Sequence, residues 1–97
     1  MRRFLVLMHR DTTTAEDTEA WGPYLASLRQ SGRFEGGSSI GGAAAHRRGG
    51  EPAHARPWLV GYLVVHAEDL EAAQASLRGN PVYEAGGTVE LCELVED

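Results

Sequence analysis

The chain has no lysine: its nine basic residues are all arginine, and four histidines complete its titratable bases. That absence excludes a Schiff-base lysine and a lysine general base. The arginines are outnumbered by fourteen acids, for a net charge of −5. General nucleic-acid binding needs a basic face, and the pairs Arg2-Arg3 and Arg47-Arg48 are too short to track a phosphate backbone. One cysteine, Cys92, cannot form an internal disulfide, so a reducing cytoplasm is the expected compartment. Within an apolar strand, Cys92 reads as a small buried hydrophobe. Long apolar runs are also missing. Phe4 to Met8 is too short for a signal core or a membrane span, and the chain is expected to be soluble and untargeted.

Nucleotide and hydrolase signatures are absent as well. The Gly-Gly pairs at 36–37, 41–42, 49–50 and 86–87 lack the GxGxxG setting and the P-loop pattern, and no GxSxG elbow occurs. The glycines therefore read as turns and bulges. No histidine pair has HExxH or another close ligand spacing, so neither a metal nor another cofactor is expected.

Ninety-seven residues make one expected domain over 1–97. A chain of this size buries only about 60–65% of the surface its unfolded form exposes, which favours oligomerisation.

Arg3 to His9 (RFLVLMH) predicts a first strand, apolar on both faces. Glu16, Asp17 and Glu19 crowd the start of a helix, where acids suit the positive end of the dipole. Trp21, Leu25 and Leu28, with Tyr24 beside them, form its apolar face. Pro23 fits only in a first turn, so the helix begins near Thr18 to Trp21, and Ser31-Gly32 ends it.

Phe34 to Ile40 predicts a short strand in which Gly36-Gly37 mark a bulge or a close backbone approach. Residues 43–56 suggest a small β-hairpin, with His46 and His54 flanking its turn. These two histidines face each other in one register and not in the next. Trp58 to His66 is the clearest strand. A second helix follows, with Leu70, Ala73 and Leu77 at helical spacing and Gly79 closing it. Thr88 to Val95 is the last strand.

The order β-α-β, hairpin region, β-α-β is the ferredoxin-like α+β pattern. Two helices cover one face of such a sheet. The apolar character of the first and third strands asks for a partner on the other, so a homodimer packed sheet to sheet is expected.

Candidate site residues follow from this layout. His9 ends the first strand with Asp11 two residues later. A histidine near a carboxylate is a general acid or base with an unperturbed pKa of about 6.5. Trp21, Tyr24 and Tyr62 are aromatics with polar tips suited to a pocket between helix and sheet, and Gly61 leaves room beside Tyr62. His66 reads as a solvated or capping residue ahead of the acidic start of the second helix.

The motifs Gly61-Tyr62, Asp69-Leu70, Ala72-Ala73, Asn80-Pro81, Gly86-Gly87 and Val89-Glu90 resemble the YCII-related family, as does the opening FLVLMHRD. Trp21, Tyr24, Leu28 and Ser31-Gly32, followed by Phe34 and Gly36-Gly37, resemble its first helix and second strand. The resemblance implies a dimeric α+β barrel of ferredoxin-like units, and among relatives of this fold small-ring isomerases, lyases and dehydrochlorinases. Two features depart from the family. One branch carries an Asp-Gly-Pro-Phe segment where this chain reads HARPWLVGY. Another carries a helix histidine and an aspartate before a proline, where this chain has Trp21 or Tyr24 and Asn80. An amide exchanges no proton at neutral pH, so that dyad is absent. The expectation is a homodimeric small-molecule-binding protein without a clear catalytic dyad. The alternative is a cofactor-free isomerase, lyase or dehydrochlorinase acting on a small cyclic or aromatic acid, with His9 as acid/base and Tyr62 or Asp11 orienting the substrate.

Overall fold

In the computed structural model, residues 1–53 and 58–96 are described. Strand β1 (Arg2–His9) is followed by a turn of 3₁₀ helix (Thr18–Ala20) and helix α1 (Trp21–Gln30). Strands β2 (Phe34–Ser39) and β3 (Leu59–Ala67) come next. Helix α2 (Leu70–Gln74) tightens into a 3₁₀ turn (Ala75–Leu77), then come the short helix α3 (Pro81–Glu84) and β4 (Val89–Leu94). The strands form one antiparallel sheet in the order β2-β3-β1-β4, the ferredoxin-like arrangement expected from the periodicity.

Strand alternation divides the sheet into two unlike faces. Phe4, Val6 and Met8 of β1 and Leu63, Val65 and Ala67 of β3 are buried under the helices. Tyr24 and Leu28 of α1, Ala73 of α2, Leu77 in the following turn and Val82 of α3 close over them. The opposite face presents Leu5, Leu7, Tyr62, Val64, Cys92 and Leu94, all half-buried. Cys92 therefore faces outward from the sheet and is not a core residue.

The helix boundaries have local causes. The Asp17 carboxylate accepts from the Glu19 backbone N–H, and Trp21 starts the regular helix. Gly32 ends α1 with a φ of 72°, in the left-handed region that costs glycine nothing. Asp69 caps α2 by accepting from the Ala72 N–H at 2.8 Å. The expected apolar face of α2 is only partly realised. Ala73 and Leu77 are buried, whereas Leu70 stands in the first turn and is exposed.

In β2 the register shifts between Phe34 and Gly36, the bulge that the paired glycines suggested. A Cβ at Gly37 would run into the Tyr62 carbonyl oxygen and the Leu63 side chain, so glycine is required for this close approach. The expected hairpin over 43–56 is not found: residues 41–53 form neither helix nor strand, and 54–57, with His54, lie outside the described residues. Paired alanines and glycines supply no alternating apolar side chains with which to hold such a ladder. Trp58 precedes β3 and is exposed, not part of the strand.

Candidate functional site

The principal cavity lies between α1 and the β2 edge of the sheet, on the helix-covered face, with a volume of about 490 Å³. Its roof is a ridge of α1. Trp21, Leu25 and Arg29 recur every fourth residue and so lie along one line of the helix. Its floor is the glycine-rich bulge of β2 (Gly36, Gly37) with Ser38, and the inner wall is Met8, Phe34, Gly61 and Leu63. The small residues of β2 explain the space. Where other strands place a side chain under a helix, this one places hydrogen.

Polar groups stand at both ends. The Glu16 carboxylate Oε2 accepts a hydrogen bond from the Trp21 indole Nε1–H at 2.9 Å, fixing the ring at the cavity wall. Trp21 also meets Tyr24 edge to face, with ring centroids 5.9 Å apart. At the other end the Arg29 guanidinium lies 5.8 Å from the centre of the Phe34 ring.

Of the residues singled out in the sequence, the structure brings Trp21 and Tyr62 to this cavity. Tyr62 reaches it as part of the β3 wall between Gly61 and Leu63. It pairs with Leu7, and alternation turns its side chain toward the open face. Tyr24 is not in this cavity. It is buried, its hydroxyl donates to the Ser76 carbonyl at 2.8 Å, and burial raises its pKa. It lines a smaller cavity of about 320 Å³ between α1 and the α2 region, with Leu28, His66 and Ser76.

His9 also lies apart from the cavity, on the open face at the end of β1. Its Nε2 stands 2.6 Å from Glu90 Oε1, a partner across β1–β4 that is distant in sequence. Asp11 makes no hydrogen bond to His9. Its carboxylate accepts from the Thr88 N–H at 2.7 Å and from the Thr88 hydroxyl at 2.6 Å, tying the loop after β1 to the start of β4. The expected pairing of His9 with Asp11 is thus replaced by two separate pairs. His66, expected to be solvated or capping, instead stands 2.7 Å from Glu35 Oε2. Arg3 donates to the same carboxylate through Nε (2.6 Å) and an Nη (3.1 Å).

The Asp11 carboxyl is held below its ordinary value of 3.8, chiefly by the Thr88 hydroxyl and then by the Thr88 N–H. A depressed folded-state pKa stabilises the fold above the unfolded value and loses that contribution as pH falls through the folded one. Asp11→Asn should therefore be less stable than wild type at neutral pH. The gap should narrow only as pH drops below 3.8. Thermal melts of both proteins from pH 6 to pH 2 (roughly the carboxylate range) check this; a gap that persists unchanged at the acid end would contradict it.

Sequence reasoning missed Arg29, Glu16 and the β2 floor as a unit. The glycines were visible as a bulge, and the helical spacing of 21, 25 and 29 was available. Nothing local, however, placed Phe34 beneath Arg29.

Asn80, the residue before Pro81, is fully buried and has a structural part. Its Oδ1 accepts from the Val82 and Tyr83 N–H groups, capping α3, and its Nδ2 donates to the Met8 sulfur at 3.5 Å. Within the described residues no group of three or more His, Cys, Asp or Glu side chains converges as a metal site, and no helix is long and apolar enough to cross a membrane.

Comparison with curated proteins yields no match. The family model of the YCII-related domain matches residues 3–96, nearly the full span of β1 through β4. This four-stranded α+β chain belongs to the YCII-related family.

Proposed function

We propose that the chain is a small-molecule-binding protein that works as a homodimer and takes its ligand in the cleft between α1 and β2. The observation that carries the reading is the cleft itself. It is a space of about 490 Å³, walled by Trp21, Leu25 and Phe34 and floored by β2 glycines, with charged groups only at its ends. Small-molecule sites typically have about 300–1,000 Å³ and a mostly apolar lining with few polar groups. The homodimer rests on the open sheet face, where Leu5, Leu7, Val64 and Cys92 remain half-buried in a single copy. A second sheet packed face to face would cover them.

Trp21 supplies a direct test. In a Trp58→Phe background it is the remaining tryptophan, so titration with a library of small flat compounds should change its emission saturably. A library that changes neither Trp21 emission nor the melting temperature would sink the reading. Light scattering should give twice the chain mass of 10.5 kDa.

A second reading is favoured by the His9–Glu90 contact. A carboxylate at 2.6 Å can hold the imidazole in one tautomer, as a general acid/base requires. The chain would then be a cofactor-free isomerase, lyase or dehydrochlorinase acting on a small cyclic or aromatic acid. Its substrate would lie on the open face, away from the cleft. Proton NMR in D₂O of small acids incubated with the protein should show washout of acidic C–H protons that His9→Gln abolishes. Washout of equal rate in the variant would remove this reading.

A further inference from the structure

The cleft has a charge at each end and an apolar middle. Trp21 and Arg29 are eight residues apart on α1, a rise of roughly 12 Å along the helix axis. At one end Glu16 spends Oε2 on the Trp21 indole, and its Oε1 has no hydrogen-bond partner among the described residues. At the other end Arg29 has no carboxylate partner among the described residues. Its nearest specific contact is the face of Phe34. Arg3 and Arg2 are spent on Glu35 and Glu93, and of the arginines without an acid partner among the described residues Arg29 is the one that lines this cavity. Arg29 is thus a cation drawn over an apolar ring at a cavity end, with its donors unspent on protein acids. Between the ends, Trp21, Leu25, Phe34 and the β2 glycines leave a flat apolar passage.

We propose that this cleft selects a small carboxylic acid with a flat, apolar body and a hydrogen-bond donor at its far end. Arg29 takes the carboxylate, and Glu16 Oε1 takes the donor, a phenol or an amine. The inference rests on the cleft being the ligand site and adds the chemical class. The planar guanidinium matches a carboxylate at two points, which a lysine would not. The indole held by Glu16 supplies a rigid face for an aromatic body. A ligand with acids at both ends is disfavoured, since one of them would meet Glu16.

The test uses the full chain and three probes: 3-(4-hydroxyphenyl)propanoate, its primary amide and 3-(4-carboxyphenyl)propanoate. Calorimetric titration of the wild type should rank the monoacid first. Arg29→Gln should weaken the monoacid by about tenfold or more and leave the amide nearly unchanged. Arg29→Lys should keep part of the affinity. Glu16→Gln should improve binding of the diacid relative to the monoacid. Arg29 is exposed, so its variants are expected to fold, and unchanged melting temperatures would confirm that. If the amide binds as well as the acid and still perturbs Trp21, the charge assignment falls while the cleft stands. If no probe binds, the assignment and the cleft both fall.

Discussion

Val65→Glu should abolish the fold, while Val64→Glu should leave a folded chain that no longer dimerises. The two residues are neighbours on β3 but face opposite ways. Val65 is 1% exposed, packed with Phe4 under the helices. A glutamate there would place a carboxylate within the apolar core cluster, and burying a carboxylate costs several kcal/mol, on the order of the whole stability of a domain this small. Val64 pairs with Leu5 on the open face and is half-buried in one copy. A charge at Val64 costs a single chain little, but it would be trapped between two sheets in the proposed dimer. Circular dichroism should show native secondary structure for Val64→Glu, and light scattering should show mass near one chain. A folded Val65→Glu would contradict the assignment of faces. A Val64→Glu protein that stays dimeric would contradict the sheet-to-sheet dimer and leave the fold intact.

Asn80→Leu should be nearly as damaging as a core truncation, although the two side chains share the same branched heavy-atom skeleton. Leucine removes the acceptor for the Val82 and Tyr83 N–H groups and leaves them without their cap in the buried start of α3. Loss of a cap costs about 1–2 kcal/mol and an orphaned buried donor about 1–3, so a loss near 3 kcal/mol is expected. For a chain of this length that corresponds to a fall in melting temperature of about 10–20 °C. Urea denaturation of the wild type, Asn80→Leu and Asn80→Ser checks it. Serine can still cap and should recover part of the loss. Equal stabilities for the leucine and serine variants would show that the cap is not what Asn80 contributes.

What was legible in the sequence was whatever depends on near neighbours. The Trp21-Tyr24-Leu28 face, the glycine stop at Gly32, the bulge at Gly36-Gly37 and the order of strands and helices along the chain all follow from periodicity and turn chemistry. They reappear in the structure. Asn80-Pro81 carries a local helix-start signal of the same kind: a capping residue followed by proline at the first helical position opens α3.

The candidate site was less legible because its parts meet only through tertiary structure. His9 and Asp11 are close in sequence. Strand alternation and the β1–β4 register give His9 to Glu90, and the loop gives Asp11 to Thr88. Arg29 reads as a solvated helix residue until β2 brings Phe34 beneath it. The alanine- and glycine-rich stretch after β2 has too few side chains able to pair across strands for propensity to define a hairpin.

The most direct test of the cleft is amide and indole chemical-shift mapping on ¹⁵N-labelled protein titrated with 3-(4-hydroxyphenyl)propanoate. The shifts should concentrate at the Trp21 indole N–H, Gly36, Gly37, Ser38 and Leu63, around the cavity under α1. Shifts concentrated instead at Leu5, His9 and Cys92 would put the ligand on the open sheet face and contradict the account.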